Sequence, residues 1–184
     1  YKRQNVEALI DDVAKAYQDA IADFYDHGCR YIQIDDTSWT YLIDETFLKK
    51  VDALGYKKEE ILDWFKRVST KALDNKPEDM FIATHFCKGN FKGNPLFHGF
   101  YDSVAPVIAE IPYQAFFVEY DDARSGSFEP WKALKDKDAI FVAGLISTKN
   151  PELEDHDEIK KRYEEAKAIV GDQLSLIHIS EPTR

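Results

Sequence analysis

Cysteine is nearly absent: Cys29 and Cys87 are the only two in 184 residues. Two thiols cannot build a disulfide framework, so a reducing, cytoplasmic setting is expected. Positive charge is also scarce, with 24 Lys and Arg against 34 Asp and Glu, a formal net charge of −10 and a pI near 5.0. Nucleic acid and anionic membrane surfaces both require a basic footprint, so neither is an expected partner. No apolar run approaches the roughly 18 residues that span a bilayer, and no secretory leader is legible. Solenoid-type repeats, low-complexity tracts and internal linkers are missing as well. What is present is a globular composition, 44% hydrophobic and 14% aromatic, long enough for one domain with a real core.

Hydrophobic periodicity alternates along the chain. Val6, Leu9, Ile10, Val13, Tyr17, Ile21 and Phe24 recur at helical spacing, and Gly28 ends that helix in the position of a left-handed cap. Residues 29–35 read as a strand, 45–51 as a short helix and 59–73 as a strong one. Residues 80–86 form the next strand, and the glycine-bearing stretch 88–101 is a loop. Then follow a helix over 102–111, a strand over 115–119 and a short helix over 128–134. Residues 139–146 are a near-continuous apolar run of the buried parallel-strand type. Pro151 opens the last helix, with Ile159, Tyr163, Ala166 and Ile169 inward, and residues 172–174 begin a possible fifth strand.

Strands alternating with helices predict parallel βαβ units with right-handed crossovers. The choice is between a small open α/β sheet and part of a (β/α)8 TIM barrel, which typically takes about 250 residues. The chain opens at Tyr1 without a methionine, and residues 175–184 resemble translated sequencing-adapter read-through. Both ends favour the partial barrel, with residues 1–174 as the domain and 175–184 as a non-native tail.

Chemistry-bearing residues gather where the strands end. His85 and Cys87 lie two apart and project from the same strand face, a nitrogen and a sulfur donor of the kind Zn²⁺ accepts at about 2.0–2.3 Å. The competing reading is a buried cysteine beside a hydrogen-bonded histidine. Glu119 closes the third strand, as ligand or as solvated carboxylate. Asp35 closes the first strand and Asp36 follows it, both residues also being natural turn formers and caps. Tyr120, Asp121, Asp122 and Arg124 read as a charged surface loop, from which Arg124 could bind a substrate carboxylate. Trp39, Trp64 and Trp131 suit packing, with Trp39 placed to line a ligand pocket. Cys29 suits the core, and His27, His98 and His156 carry no supported role.

The segment from Pro77 through His85-Phe86-Cys87 to Phe91 resembles the cobalamin-independent methionine synthase superfamily, in particular its single-barrel bacterial relatives. Three further blocks agree in order: Gln33 to Trp39, Glu119 to Gly126, and Gly144 to Lys149. The resemblance implies a (β/α)8 barrel of which this chain holds roughly strands four to seven. It implies a catalytic zinc held by His85, Cys87 and Glu119, with a fourth ligand, a cysteine, absent from this chain, and no cobalamin. It implies a small-molecule thiol such as homocysteine, deprotonated at the metal and methylated by a methyl-tetrahydrofolate-like donor, with Asp35 gripping the thiol's ammonium group. The family's proton-donating Asp-x-His is replaced here by Ser147-Thr148-Lys149, which puts Lys149 at the catalytic position. A lysine, with an ordinary pKa of about 10.4, donates a proton poorly unless burial lowers it. Zinc-dependent alkyl transfer between other substrates, and a non-catalytic small-molecule-binding barrel, remain the alternatives. These residues alone are expected to be inactive.

Overall fold

A computed structural model describes residues 5–121, 125–147, 149 and 151–177. Helix α1 (Val6–Asp26) is capped by Asn5, whose side chain accepts the Ala8 amide, and Gly28 follows it at φ +92°. Strand β1 (Tyr31–Asp35) leads through a 3₁₀ segment, Thr37–Leu42, to α2 (Glu45–Ala53) and α3 (Lys58–Ala72). Strand β2 (Phe81–Phe86), α4 (Ala105–Ile108), β3 (Ala115–Glu119), β4 (Ile140–Gly144), α5 (His156–Val170) and β5 (Leu174–Ile177) complete the order.

The strands form one parallel sheet in the order β1-β2-β3-β4-β5. Sequential order without reversal is the winding of a barrel, since a doubly wound sheet reverses direction at a switch point. The chain therefore has an α/β fold of partial TIM-barrel type. The fifth strand, of which the sequence suggests only the start, pairs with β4 from Leu174 to Ile177.

Register sorts the side chains onto two faces. Ile32, Ile82, Phe116 and Phe141 share the helix-facing side, where the last three are fully buried beside Phe86, Val118 and Trp131. Asp35, His85, Phe117 and Val142 lie level with one another on the other, inward face. Alternation puts Cys87 and Glu119 one step further along that face, at the carboxyl end. This is the end of a parallel sheet at which (β/α) proteins build their sites.

Two segments differ from expectation. Only Ala105–Ile108 is α-helical within the predicted helix over 102–111, flanked by a 3₁₀ turn at Tyr101–Ser103. Pro112 biases Ile111 away from helical geometry, and the amides of Val107, Glu110 and Ile111 all bond three residues back. The last helix begins at His156, not Pro151, because Asp155 caps the amides of Asp157 and Glu158. Glu154 is held out of the helix by accepting the Ser147 amide at 2.6 Å.

Candidate metal and substrate site

His85 is 3% exposed, placed at the end of β2 by strand pairing on both sides. Its Nδ1 lies 3.2 Å from Asp35 Oδ1, without hydrogen-bond alignment, and both ring nitrogens lack a hydrogen-bond partner. An imidazole buried in that state has two unused donor or acceptor positions, which is costly unless something fills one of them. Asp35, with a side chain 58% exposed, accepts Gln33 Nε2 at 2.8 Å and keeps open access from the inward face. Cys87, the next inward residue, is buried.

Glu119 is buried at the end of β3, and the ammonium of Lys149 lies 2.9 Å from its Oε2. Lys149 also reaches Asp121 Oδ2 at 3.0 Å, and Ser147 Oγ donates to the same oxygen at 2.7 Å. Burial and then the Asp121 charge push the Glu119 pKa up, against the pull of Lys149 and Lys88. For Lys149, burial acts downward, but Glu119 and Asp121 outweigh it and the net shift is upward. Burial thus does not turn this lysine into a ready proton donor. Tyr101, 1% exposed, has its hydroxyl pushed well above its ordinary pKa by burial, then by Glu119, Tyr120, Cys87 and Asp121.

Over these strand ends folds the loop after Cys87. A cavity of about 300 Å³ is lined by Lys88, Pro95, Phe97, His98, Gly99, Phe100 and Glu119. The loop is anchored where the His98 amide donates to Asp44 Oδ2 at 3.0 Å, while Asp44 Oδ1 caps α2. A second cavity, about 320 Å³, lies between α1, α3 and β1, apolar except for a few groups such as Asp35, Asp36 and Ser38. The candidate donors His85, Cys87 and Glu119 lie instead at the strand ends.

Among the described residues, no three His, Cys, Asp or Glu side chains approach closely enough to hold a metal ion. The donor set nevertheless fits a thiophilic divalent metal: nitrogen, sulfur and carboxylate on one face, with the imidazole nitrogens unsatisfied. Glu119 is turned toward Lys149 in this arrangement. Trp39 is 1% exposed, edge-on to Phe65 at 5.5 Å, and its indole N–H donates to Asp36 Oδ2 at 2.8 Å. It is not among the residues lining the strand-end cavity. Arg124 lies outside the described residues.

Four residues at or beside the site escape the sequence reading. Lys88 is 4% exposed and its ammonium sits 5.3 Å from the centre of the Tyr101 ring. His98 lines the cavity, and the only signal for it was its place in a glycine-bearing loop. Asp121 and Tyr120, read as surface, are buried: the Asp121 side chain is 4% exposed and Tyr120 stacks on Phe128 at 4.2 Å. The run Tyr120-Asp121-Asp122 after a buried strand carries no local signal of which side chain turns inward.

Comparison with known proteins adds three findings. The family model described as cobalamin-independent synthase, catalytic domain, matches residues 1–177. The uncharacterized proteins YxjG and YxjH of Bacillus subtilis (strain 168) are 42% identical over 167 residues and 41% over 172. These alignments cover 90% and 92% of this chain but 44% and 46% of those proteins. A Listeria monocytogenes protein described as a candidate vitamin-B12 independent methionine synthase superposes with a TM-score of 0.74 at 38% identity. It is covered over 48% of its length, against 94% of this chain. The chain thus spans about half the length of the relatives it matches.

Proposed function

The chain belongs to the cobalamin-independent synthase family, through its catalytic domain, and on that premise we propose that the full-length protein is a zinc-dependent methyltransferase. The acceptor is a small thiol such as homocysteine and the donor is methyl-tetrahydrofolate-like, with no cobalamin involved. The reaction belongs to a reducing, cytoplasmic compartment. Residues 1–174 contribute roughly strands four to seven of the barrel, so the activity is that of the complete barrel. The observation that carries this reading is the buried His85 ring, unsatisfied at both nitrogens, sharing one sheet face with Cys87 and Glu119.

His85, Cys87 and Glu119 hold the metal in this proposal. When bound, zinc supplies the positive charge that lowers the pKa of a substrate thiol and makes its sulfur a nucleophile at neutral pH. The protein's own groups orient the acceptor. Asp35, exposed at the strand end, accepts hydrogen bonds from the substrate ammonium, and Arg124 takes its carboxylate. Trp39 acts through Asp36, fixing the turn that follows Asp35. The loop carrying Phe97, His98 and Phe100 excludes water from the cavity above Glu119. Lys149 brings a positive charge, paired with Glu119 and Asp121, beside the reaction centre.

One observation favours a second reading within the same chemistry. Lys149 is held as an ammonium between two carboxylates where methionine synthases carry a proton-donating histidine. A donor whose leaving group needs no proton, or another thiol, suits that replacement.

Zinc per chain, by elemental analysis of the full-length protein, tests the proposal. We expect a value near one that falls on Cys87→Ala or His85→Ala, with methyl transfer to homocysteine lost in parallel. A well-folded, metal-free protein whose ligand binding ignores both substitutions would instead be a non-catalytic barrel.

A further inference from the structure

Glu119 has a resident cation. The Lys149 ammonium bridges Glu119 Oε2 at 2.9 Å and Asp121 Oδ2 at 3.0 Å, and the Lys149, Glu119 and Asp121 side chains are 7%, 9% and 4% exposed. Lys149 is held from its own backbone as well, since its amide donates to Ser147 Oγ at 3.2 Å and that hydroxyl donates to Asp121. Ser147 is in turn fixed by the bond from its amide to Glu154. The second oxygen of Asp121, Oδ1, is buried and has no hydrogen-bond partner among the described residues. Asp121 therefore has acceptor capacity in reserve, close to an ammonium with three protons to place.

We propose that Lys149 is an exchangeable counter-ion for Glu119: it neutralises that carboxylate in the metal-free protein and moves wholly onto Asp121 when a divalent metal takes Glu119. A carboxylate this buried needs a cation in either state, because an unpaired charge is expensive away from water. The ammonium and a divalent metal repel each other, so they do not share Glu119 without cost. Asp121 makes the exchange feasible by offering Oδ1 as acceptor to the ammonium N–H that Lys149 withdraws from Glu119. Lys149 is thus a positioning residue that sets metal affinity through Glu119. This inference rests on the metal reading above.

The test measures Zn²⁺ affinity of the metal-stripped, full-length protein by competition with a chromophoric chelator. Co²⁺ is the spectroscopic probe, because its thiolate charge-transfer band reports cysteine ligation directly. In Lys149→Met the competitor is gone, and affinity rises by about 10–100-fold. In Asp121→Asn the reserve acceptor is weakened, Lys149 stays on Glu119, and affinity falls by a comparable factor. Lys149→Arg keeps the charge and stays near wild type. Opposite signs in the first two variants are the signature, since a merely structural role lowers affinity in both. Unchanged or weaker binding in Lys149→Met overturns the inference while wild-type binding leaves the metal reading standing. No binding in the wild type or any variant overturns both. Should Lys149→Met fail to fold, as judged by circular dichroism, the Asp121→Asn and Lys149→Arg pair decides: equal affinities overturn the proposal.

Discussion

Asp44 joins the α2 cap to the loop over the candidate site, and its removal is expected to cost more than an ordinary cap. It is 8% exposed, and its two oxygens serve three backbone amides: Thr46 at 2.9 Å and Phe47 at 3.1 Å on Oδ1, His98 at 3.0 Å on Oδ2. Losing the cap in Asp44→Ala costs about 1 kcal/mol. The charge-assisted bond from the His98 amide adds about 1.5–3 kcal/mol, because a part-buried N–H is left unpaired. The two losses share one side chain, so the expected total is about 2–4 kcal/mol. Urea unfolding of the full-length protein at neutral pH measures it. Hydrogen exchange at the His98 amide localises it, with protection falling roughly 10–100-fold at the loop. Asp44→Asn, which retains one acceptor oxygen, lies between wild type and Ala. The pH dependence has a defined sign. Burial raises the Asp44 pKa, but the His98, Phe47 and Thr46 amides outweigh it, and the net shift is downward. A carboxyl with a depressed folded-state pKa stabilises the protein above its unfolded value, near 3.8, and that contribution disappears as pH falls through the folded-state value. Wild type and Asp44→Ala therefore converge in acid and separate above it. An Ala variant within about 1 kcal/mol of wild type at neutral pH, with unchanged His98 exchange, would refute the reasoning.

Other perturbations probe neighbouring parts. Gly99 has φ +139°, and an added Cβ would stand 2.3 Å from the Ile43 carbonyl oxygen, so Gly99→Ala should displace the cavity loop and weaken ligand binding, measured by calorimetry, more than it weakens the barrel. Trp131 is fully buried, 5.6 Å from Phe86 and 5.3 Å from Phe141, and Trp131→Ala should lose about 3–5 kcal/mol in chemical unfolding. Trp131→Phe should lose less, because Tyr120 still donates to Ser127 after losing the indole N–H. Asp155→Ala should cost about 1 kcal/mol by uncapping α5, without altering zinc content.

Much of the framework is legible from short-range pattern. The spacing from Val6 to Phe24, Gly28 after it, and the β-rich runs ending in Asp35, Phe86 and Glu119 mark elements that the folded chain forms. Segments with weaker or conflicting signals resist this. The 102–111 stretch is apolar enough for a helix, yet Pro112 just beyond it and amides that bond three residues back reduce it to one helical turn and its 3₁₀ flanks. Pro151 is a reasonable helix opener, but a capping aspartate four residues later competes and wins.

By itself, the sequence determined the α/β alternation and the placing of His85, Cys87, Glu119 and Asp35 at strand ends. Those properties depend on residues a few positions apart and on the two-residue period of a strand. Only the tertiary structure decided what each group meets there. Parallel register brings Asp35 level with His85, across fifty residues of chain, and folding of the loop after β4 puts Lys149 on Glu119 and Asp121. It also decided that Asp121 is buried while its surroundings read as surface, and that Trp39 packs on α3. Charge pairing and burial are set by which distant segments share a dielectric environment, and no local pattern encodes that partner.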